Sequence, residues 1–299
     1  MDEQLVGDFA AHGVQKLFLR RAKPSPILLF SLATLEIDSE SFLTRFTEYT
    51  TGLPWDYYDV LFKVETEIAK RYPNQFAQYE AKKQVEADAE QQLDILRGSV
   101  HANDLQVLPE EIRLPFRRRA SRRYTLNQTT DYTWRIALQA PQNFTQAVYD
   151  VRARPRRFSP ISGPLAVDPD LMSLVAFYAE LIHRQLHVTQ LQVVVHLVAT
   201  YAFVGRIGEP APEGVHKDGS DYVITALVLA RQNVAGGISR VFSPDQRSLV
   251  LERQLQPGEG LFHADQTSPF WHSVTPITVS DAASGRESYR AILGVDFLI

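Results

Sequence analysis

Two short segments carry the side chains best suited to bind a metal. His216 and Asp218 stand two residues apart in Gly-Val-His-Lys-Asp-Gly-Ser, and on an extended chain that spacing points both side chains to one face. His272 supplies a second imidazole 56 positions after the first (272 − 216). Two imidazoles and one carboxylate hold Fe(II) on one side and leave its other positions open. The sequence therefore predicts an iron centre formed by His216, Asp218 and His272.

The His-x-Asp triplet alone is weak evidence, because such triplets are common in surface turns. The surrounding pattern strengthens it. Short apolar segments at 222–230, 239–242, 249–255 and 261–263 alternate with turn residues that include the glycine pair at 236–237 and Ser-Pro-Asp at 243–245. Short strands with turns at this spacing are typical of an all-β barrel or jelly roll. His263 at the end of one segment is a rival for the third ligand position.

From about residue 207 to 297 the chain resembles the Fe(II)/2-oxoglutarate dioxygenases, and within them the group that oxidises free aliphatic L-amino acids, such as isoleucine 4-hydroxylases. The matching text is Pro-Glu-Gly-Val-His-Lys-Asp-Gly at 212–219, Gly-Gly-Ile-Ser at 236–239, Trp-His-Ser-Val-Thr-Pro-Ile at 271–277 and Tyr-Arg-Ala-Ile-Leu-Gly-Val-Asp-Phe at 289–297. The resemblance implies a double-stranded β-helix (a cupin-like jelly roll), with Fe(II), 2-oxoglutarate and O2 as cofactor and cosubstrates. It also implies that His272, and not His263, is the third ligand.

Arg290 lies on a segment that is predicted to be buried on both faces. Strand alternation places it with Ile292 and Gly294, and the other face is apolar. A buried guanidinium needs an anion, and Asp296, the acid on the same face, lies six residues on, or about 20 Å along a strand. The resemblance implies that the distal carboxylate of 2-oxoglutarate binds Arg290; a structural ion pair with another strand stays open. Because Ile292 stands where relatives often carry a hydroxyl group, a second hydrogen-bond donor must come from elsewhere. The candidates are Tyr222, Thr225 and Ser239.

The resemblance alone implies the substrate, which would be a small aliphatic L-amino acid of the valine, leucine or isoleucine type. Hydroxylation is the default outcome, while oxidative C–N ring closure and desaturation stay open. Glu213 is the candidate to bind the substrate ammonium, and an arginine of the N-terminal half its carboxylate. Two other classes also remain: a cupin-like metalloenzyme that does not use 2-oxoglutarate, and a non-catalytic jelly-roll binding module.

Length and composition indicate a folded protein with a large core. With 299 residues and 44% hydrophobic content, we predict one catalytic domain spanning 1–299 and a fold that is mainly β with α-helical N-terminal additions. The helical portion is predicted at about 38–110 and the jelly-roll core at about 129–299. The absence of cysteine leaves His, Asp and Glu as metal ligands.

Charge and hydropathy argue against nucleic acid and membranes as partners. A net charge of −4 argues against nucleic acid, and the arginine-rich run at 117–123 is interpreted as a solvated loop. The acidic start lacks the order of a signal peptide, and the apolar run at 193–204 is interrupted by His196 and too short to span a bilayer. We therefore predict a cytoplasmic protein with a small-molecule partner and no membrane partner. The sequence leaves the oligomeric state open.

Overall fold

The computed structural model describes residues 4–11, 27–84, 87–140 and 156–299. A predicted strand at 15–19 lies outside the described residues. The strands are β1 (Gln4–Ala10), β2 (Ile27–Ser31), β3 (Arg117–Thr130), β4 (Thr133–Leu138), β5 (Ser159–Pro160), β6 (Gln190–Ala202), β7 (Tyr222–Gln232), β8 (Val234–Gly236), β9 (Ser239–Phe242), β10 (Leu249–Arg253), β11 (Glu259–Ala264), β12 (Trp271–Val274), β13 (Ile277–Val279) and β14 (Ser288–Leu298). The helices are α1 (Ser39–Thr51), α2 (Tyr58–Arg71), α3 (Pro73–Glu80), α4 (Ala89–Arg97), α5 (Ala102–Gln106), α6 (Glu110–Arg113) and α7 (Pro169–Leu186), with short 3-10 helices at Leu32–Leu35, Gly163–Val167 and Ala282–Ser284.

The chain divides into two compact units. The first contains residues 1–53, 119–141 and 159–299, and the second contains residues 54–118 and 142–158. The first unit holds nearly all of the β structure and the predicted metal ligands. A mainly β fold with helical additions is what the sequence predicts.

One large sheet dominates the first unit. Its strand order is β1-β4-β3-β6-β14-β7-β11-β2, with β5 beside β3. The central strand β14 pairs antiparallel with β6 on one side and with β7 on the other. Because β14 is buried on both faces, its sequence is nearly continuous in apolar residues. The arginine-rich run predicted as a loop begins strand β3.

Two smaller sheets supply the second layer. One has the order β10-β9-β12 and the other pairs β13 with β8. Val241 of β9 is buried with Ala226 and Val228 of β7 and Leu261 of β11, and Ile292 of β14 packs against this group. These contacts define the inner face of the large sheet, on which the even-numbered residues of β14 lie.

Helix α7 covers the opposite, outer face. Asp168 caps it by accepting hydrogen bonds from the backbone N–H groups of Asp170 and Leu171, both at 3.1 Å, and Pro169 occupies its first turn. Tyr178 in the middle of α7 packs on Phe262 and Phe297, with ring centroids 4.5 and 6.5 Å apart. Apolar packing on this face leaves the inner face for polar chemistry.

The second unit is built from helices α2 to α6 around its own core. Val60, Val64 and Ile68 form the buried stripe of α2 that the sequence periodicity predicts. Tyr79 of α3 is fully buried and donates a 2.6 Å hydrogen bond to Glu65. In the described part of the chain, no helix combines the length and apolar character required to cross a bilayer.

Candidate active site

A backbone bridge brings the two predicted histidine ligands together. The N–H of His216 donates to the carbonyl of His272 at 2.9 Å, and the N–H of His272 donates to the carbonyl of His216 at 3.0 Å. Strand β12 carries His272, and the segment before β7 runs antiparallel to it at this point. Paired residues of an antiparallel bridge place their side chains next to each other, and the two imidazole rings lie 4.4 Å apart.

Asp218 completes the cluster. Its Oδ1 atom lies 3.5 Å from Nε2 of His216, and its Oδ2 atom lies 3.3 Å from Nε2 of His272. One ligand atom from each residue lies within 4.8 Å of the other two. Two imidazole nitrogens and one carboxylate oxygen on one side of a point form the donor set that suits Fe(II) with open positions. The three side chains that the sequence predicts to meet do meet.

One remaining ring nitrogen has a hydrogen-bond acceptor, and the other faces a buried carboxylate beyond hydrogen-bond distance. Nδ1 of His216 donates to the carbonyl of Gly214 at 2.9 Å. Nδ1 of His272 lies 3.6 Å from Oδ1 of Asp265, a fully buried carboxylate whose Oδ2 accepts the N–H of Gly219 at 2.8 Å. Protons on both Nδ1 atoms leave both Nε2 atoms as metal donors.

The carboxylates control the protonation of the cluster. Burial alone would lower the pKa of His216, but the hydrogen bond and charge of Asp218 raise it to about 9. Burial opposes ionisation of Asp218 as well, yet the two histidines hold its pKa well below the ordinary value. Burial and the charge of His272 lower the pKa of the neighbouring His263 to about 4. His263 is fully buried with its ring 5.3 Å from that of His272.

A second group of buried polar atoms belongs to the inner face around Arg290. Arg290 is 2% exposed, and its Nε and Nη2 atoms have no hydrogen-bond partner among the described residues. Within the same described ranges, the hydroxyls of Ser239 and Thr225 are also buried without a partner. Ser239 shares the inward face of β9 with Val241. Buried donors of this kind require an acceptor, and the carboxylate of 2-oxoglutarate is a suitable one.

The neighbourhood of Arg290 contains a second arginine that sequence reasoning missed. Arg231 of β7 lies directly opposite Arg290 in the strand register, and it donates a 2.6 Å hydrogen bond to the carbonyl of Gly236. Burial and the charge of Arg231 lower the pKa of Arg290 to about 9. Two adjacent cations strengthen the demand for an anion at this place. Only the register of β7 and β14, which the sequence does not display, reveals the pair.

The structure does not bring Tyr222 into this group. Its ring stacks on Phe262 at a centroid distance of 5.7 Å, and it lies opposite Phe297 on the outer face. Glu213 lies on the other side of the site, with Oε1 3.3 Å from Nε2 of His216. Thr225 falls where the pairing of β7 with β11 shifts, so it has no residue directly opposite it on β11.

Comparison with known proteins identifies the family. A family model described as 2OG-Fe dioxygenase matches residues 102–296, about two thirds of the chain. The chain belongs to this family. Members of the 2OG-Fe dioxygenase family use Fe(II), 2-oxoglutarate and O2, and the His216, Asp218 and His272 cluster has the composition that this chemistry requires. No curated protein matches the sequence significantly.

Solved structures support the same fold for this dioxygenase. A bsmA homologue from Methylobium petroleophilum PM1 is similar over 96% of this chain and 92% of its own, with 18% identity and a TM-score of 0.62. The protein IDO from Bacillus thuringiensis is similar over 60% of this chain and 73% of its own, with 21% identity and a TM-score of 0.50. The predicted jelly-roll fold, dioxygenase class and cofactor set are therefore confirmed.

Proposed function

We propose that this dioxygenase hydroxylates an unactivated C–H bond of a small aliphatic free L-amino acid. The observation that carries the proposal is the joint presence of a His-Asp-His cluster, in which both histidines are buried, and of Arg290 with two buried nitrogens that have no partner among the described residues. The first provides a metal site and the second an anion site. The substrate class rests on the sequence resemblance over residues 207–297.

His216, Asp218 and His272 are the proposed iron ligands. The bound iron, with 2-oxoglutarate and O2, supplies the oxidation that converts 2-oxoglutarate into succinate and CO2 and places one oxygen atom in a C–H bond. The carbonyl of Gly214 accepts a hydrogen bond from Nδ1 of His216, and the carboxylate of Asp265 faces Nδ1 of His272, so Nε2 of each ring would serve as the metal donor. The protein thereby fixes one side of the metal and leaves the other for ligands that react.

Arg290 is the proposed receptor for the distal carboxylate of 2-oxoglutarate. Its planar guanidinium can donate two parallel hydrogen bonds to a carboxylate. The hydroxyls of Ser239 and Thr225 are the further donors that we propose for the same ligand, since both are buried and require an acceptor. Tyr222 is less suited to this role because its ring packs on the outer face.

Glu213 is the partner that the sequence predicts for the substrate ammonium. Its carboxylate lies beside His216, so it contributes negative charge where a cationic group would approach. Membership of the family favours the use of 2-oxoglutarate over a cupin-like reaction without it. Hydroxylation, ring closure and desaturation all begin with removal of hydrogen from the same carbon, so the ligands proposed above serve each of them.

A turnover experiment tests the proposal. The protein is loaded with Fe(II) and incubated with 2-oxoglutarate, O2 and either L-valine, L-leucine, L-isoleucine or a set of polar amino acids. We expect succinate to form in proportion to loss of one aliphatic amino acid, and the product to be heavier by one oxygen atom. Asp218→Ala should abolish both signals. Succinate that forms at the same rate with every amino acid, and without an oxidised product, would contradict the substrate class.

A further inference from the structure

A row of polar side chains crosses three neighbouring strands of the large sheet. Nε2 of His196 on β6 lies 3.0 Å from Oδ2 of Asp296 on β14, and Nδ1 lies 3.3 Å from Nη2 of Arg119 on β3. A guanidinium only donates hydrogen bonds and a carboxylate only accepts them. His196 is therefore neutral with its proton on Nε2. Across the row, Arg119 is positive, His196 is neutral and Asp296 is negative.

This row lies on the inner face of the sheet, with the candidate active site. His196 lies directly opposite Gly294, and Thr200 lies directly opposite Arg290. Opposite residues of an antiparallel pair share a face, and Arg290, Gly294 and Asp296 alternate onto one face of β14. Arg119 reaches the same face through its contact with His196.

The strand register places the row close to the metal ligands. Asp296 lies opposite Val223, and Val223 lies opposite His263, whose ring is 5.3 Å from that of His272. Two strand spacings separate Asp296 from His263, or about 10 Å.

Gly294 leaves room beside the His196 ring. Its φ angle is not in the left-handed region, and an added Cβ would meet only the carbonyl oxygen of Ile224 at 3.5 Å and Cβ of His196 at 3.9 Å. Neither backbone conformation nor a close contact therefore demands glycine at this position. The missing side chain instead keeps space open over the sheet, between Arg290 and Asp296.

We propose that Arg119 and Asp296, held on either side of His196, bind the carboxylate and the ammonium of the α-amino acid substrate. This inference rests on the proposed function and names the subsite that recognises the substrate. A free α-amino acid carries an anion and a cation on adjacent atoms, which complements a cation and an anion flanking one neutral ring. Arg119 can form paired hydrogen bonds with a carboxylate, and the space at Gly294 accommodates the α-carbon.

Binding without turnover tests the assignment. In the absence of O2, the Fe(II) protein is saturated with 2-oxoglutarate, and the resulting charge-transfer absorption band is followed as ligand is added. The ligands are L-valine, L-leucine and L-isoleucine, and then the deaminated and the decarboxylated forms of whichever binds. For the wild-type protein we expect loss of either charged group to weaken binding about 10- to 100-fold.

The variants pair each residue with one charged group of the ligand. Arg119→Met should weaken binding of the amino acid by a similar factor, yet bind the decarboxylated form as the wild type does. Asp296→Asn should likewise weaken binding of the amino acid, yet bind the deaminated form as the wild type does. Arg122→Met serves as the matched control, because Arg122 lies three residues after Arg119 on β3 and this odd spacing places it on the opposite face. Gly294→Val should weaken binding of the amino acid and of both its modified forms, because the valine side chain fills the space beside His196.

Each outcome decides a different point. Retention of the 2-oxoglutarate band in every variant shows that the fold and the cosubstrate site are intact. Two results would overturn the subsite assignment. The first is that the loss of affinity caused by a substitution and the loss caused by removing a charged group of the ligand simply add. The second is that Glu213→Gln, and not Asp296→Asn, removes the preference for the ammonium. If the wild-type protein binds none of the three amino acids, the proposed substrate class fails, and the subsite assignment fails with it.

Discussion

Asp265 lies fully buried behind His272, with its Oδ1 atom 3.6 Å from Nδ1 of that imidazole. Its other oxygen accepts the N–H of Gly219, one residue after Asp218. One carboxylate therefore connects the segments that carry two of the three proposed ligands. A carboxylate behind a ligating histidine fixes the ring and raises its basicity.

Replacing this carboxylate should weaken metal binding without removing a ligand. For Asp265→Asn we expect a 10- to 100-fold loss of Fe(II) affinity, on the order of the usual effect of such partners. Titration of the metal-free protein with Fe(II) under anaerobic conditions measures it. Asp281→Asn, which alters the exposed cap of the 3-10 helix Ala282–Ser284, is the control. Equal affinities for both variants would show that Asp265 has no part in orienting His272.

Arg290 should determine the affinity for 2-oxoglutarate. Arg290→Met leaves a buried carboxylate without its cation, which costs about 2 to 5 kcal/mol, or at least 30-fold in affinity. Titration of 2-oxoglutarate into the anaerobic Fe(II) protein, followed by the charge-transfer band, measures the change. Arg240→Met removes an exposed arginine that pairs with Glu252 and should leave the affinity unchanged. A wild-type affinity in Arg290→Met would contradict the assigned role.

Gly237 should be needed for the position of Arg290. An added Cβ would lie 2.9 Å from Cδ of Arg290 and 3.0 Å from Nη1 of Arg231, and its φ is +63°. Gly285 has φ +64° but nothing within 4 Å of an added Cβ. Both alanine variants bear the left-handed backbone cost of about 1 kcal/mol, so thermal unfolding should register both. Only Gly237→Ala should lose affinity for 2-oxoglutarate, and a loss in both would point to a general effect on folding.

Metal binding should strengthen as the pH rises. The pKa of His216 in the metal-free protein is about 9, so below that pH a proton occupies the nitrogen that the metal requires. We expect affinity for Mn(II) to rise about tenfold per pH unit between pH 6.5 and 8.5 from this one proton. Calorimetry in buffers of different ionisation enthalpy should detect its release.

Deprotonation of His216 favours metal binding but lowers the stability of the metal-free fold. Because the folded pKa of His216 lies above the ordinary value of 6.5, the stabilisation is present below pH 6.5 and is lost as the pH rises through 9. Glu213→Gln removes a carboxylate whose charge helps to raise this pKa, without removing a proposed metal ligand. The variant should therefore release less proton on binding Mn(II) at pH 7.5, and an unchanged release would rule out His216 as its source.

Glu180 should be important for stability and not for chemistry. It is fully buried in α7 and accepts hydrogen bonds from Trp134 at 3.0 Å, Gln128 at 3.1 Å and Arg184 at 2.7 Å. Glu180→Ala leaves these donors without their acceptor, so we expect a loss of about 3 kcal/mol. Urea unfolding measures it, and Glu48→Ala on the exposed side of α1 should change stability by less than about 0.5 kcal/mol.

The cluster could be predicted from sequence because its signal is local. His216 and Asp218 are set by a two-residue spacing, and His272 by its surrounding text. The start of α7 carries local signals of the same kind, since Pro169 stands in its first turn and Asp168 caps it. Helix α1 shows the limit of such signals, because Asp38 caps it although the adjacent Ser39 is a residue type that accepts the same kind of bond.

Features that depend on pairing between distant strands could not be predicted. The opposition of Arg231 and Arg290, and that of His196 and Gly294, follows from register, and a bulge near Thr225 shifts that register by one residue. In the sequence His196 only interrupts an apolar run, and its partners lie on two other strands. Strands β1 and β2 join the large sheet from positions ahead of the helical portion, which no local pattern indicates.

The place of β14 in the middle of the large sheet bears on how the protein is made. Until synthesis has passed Leu298, β6 and β7 each expose an unpaired edge, and such edges favour aggregation of a nascent chain. The same late strand delivers Arg290. Pairing of β14 thus completes the sheet and brings Arg290 to the proposed 2-oxoglutarate site in one step. A shortened chain that lacks this strand would have neither the complete sheet nor this arginine.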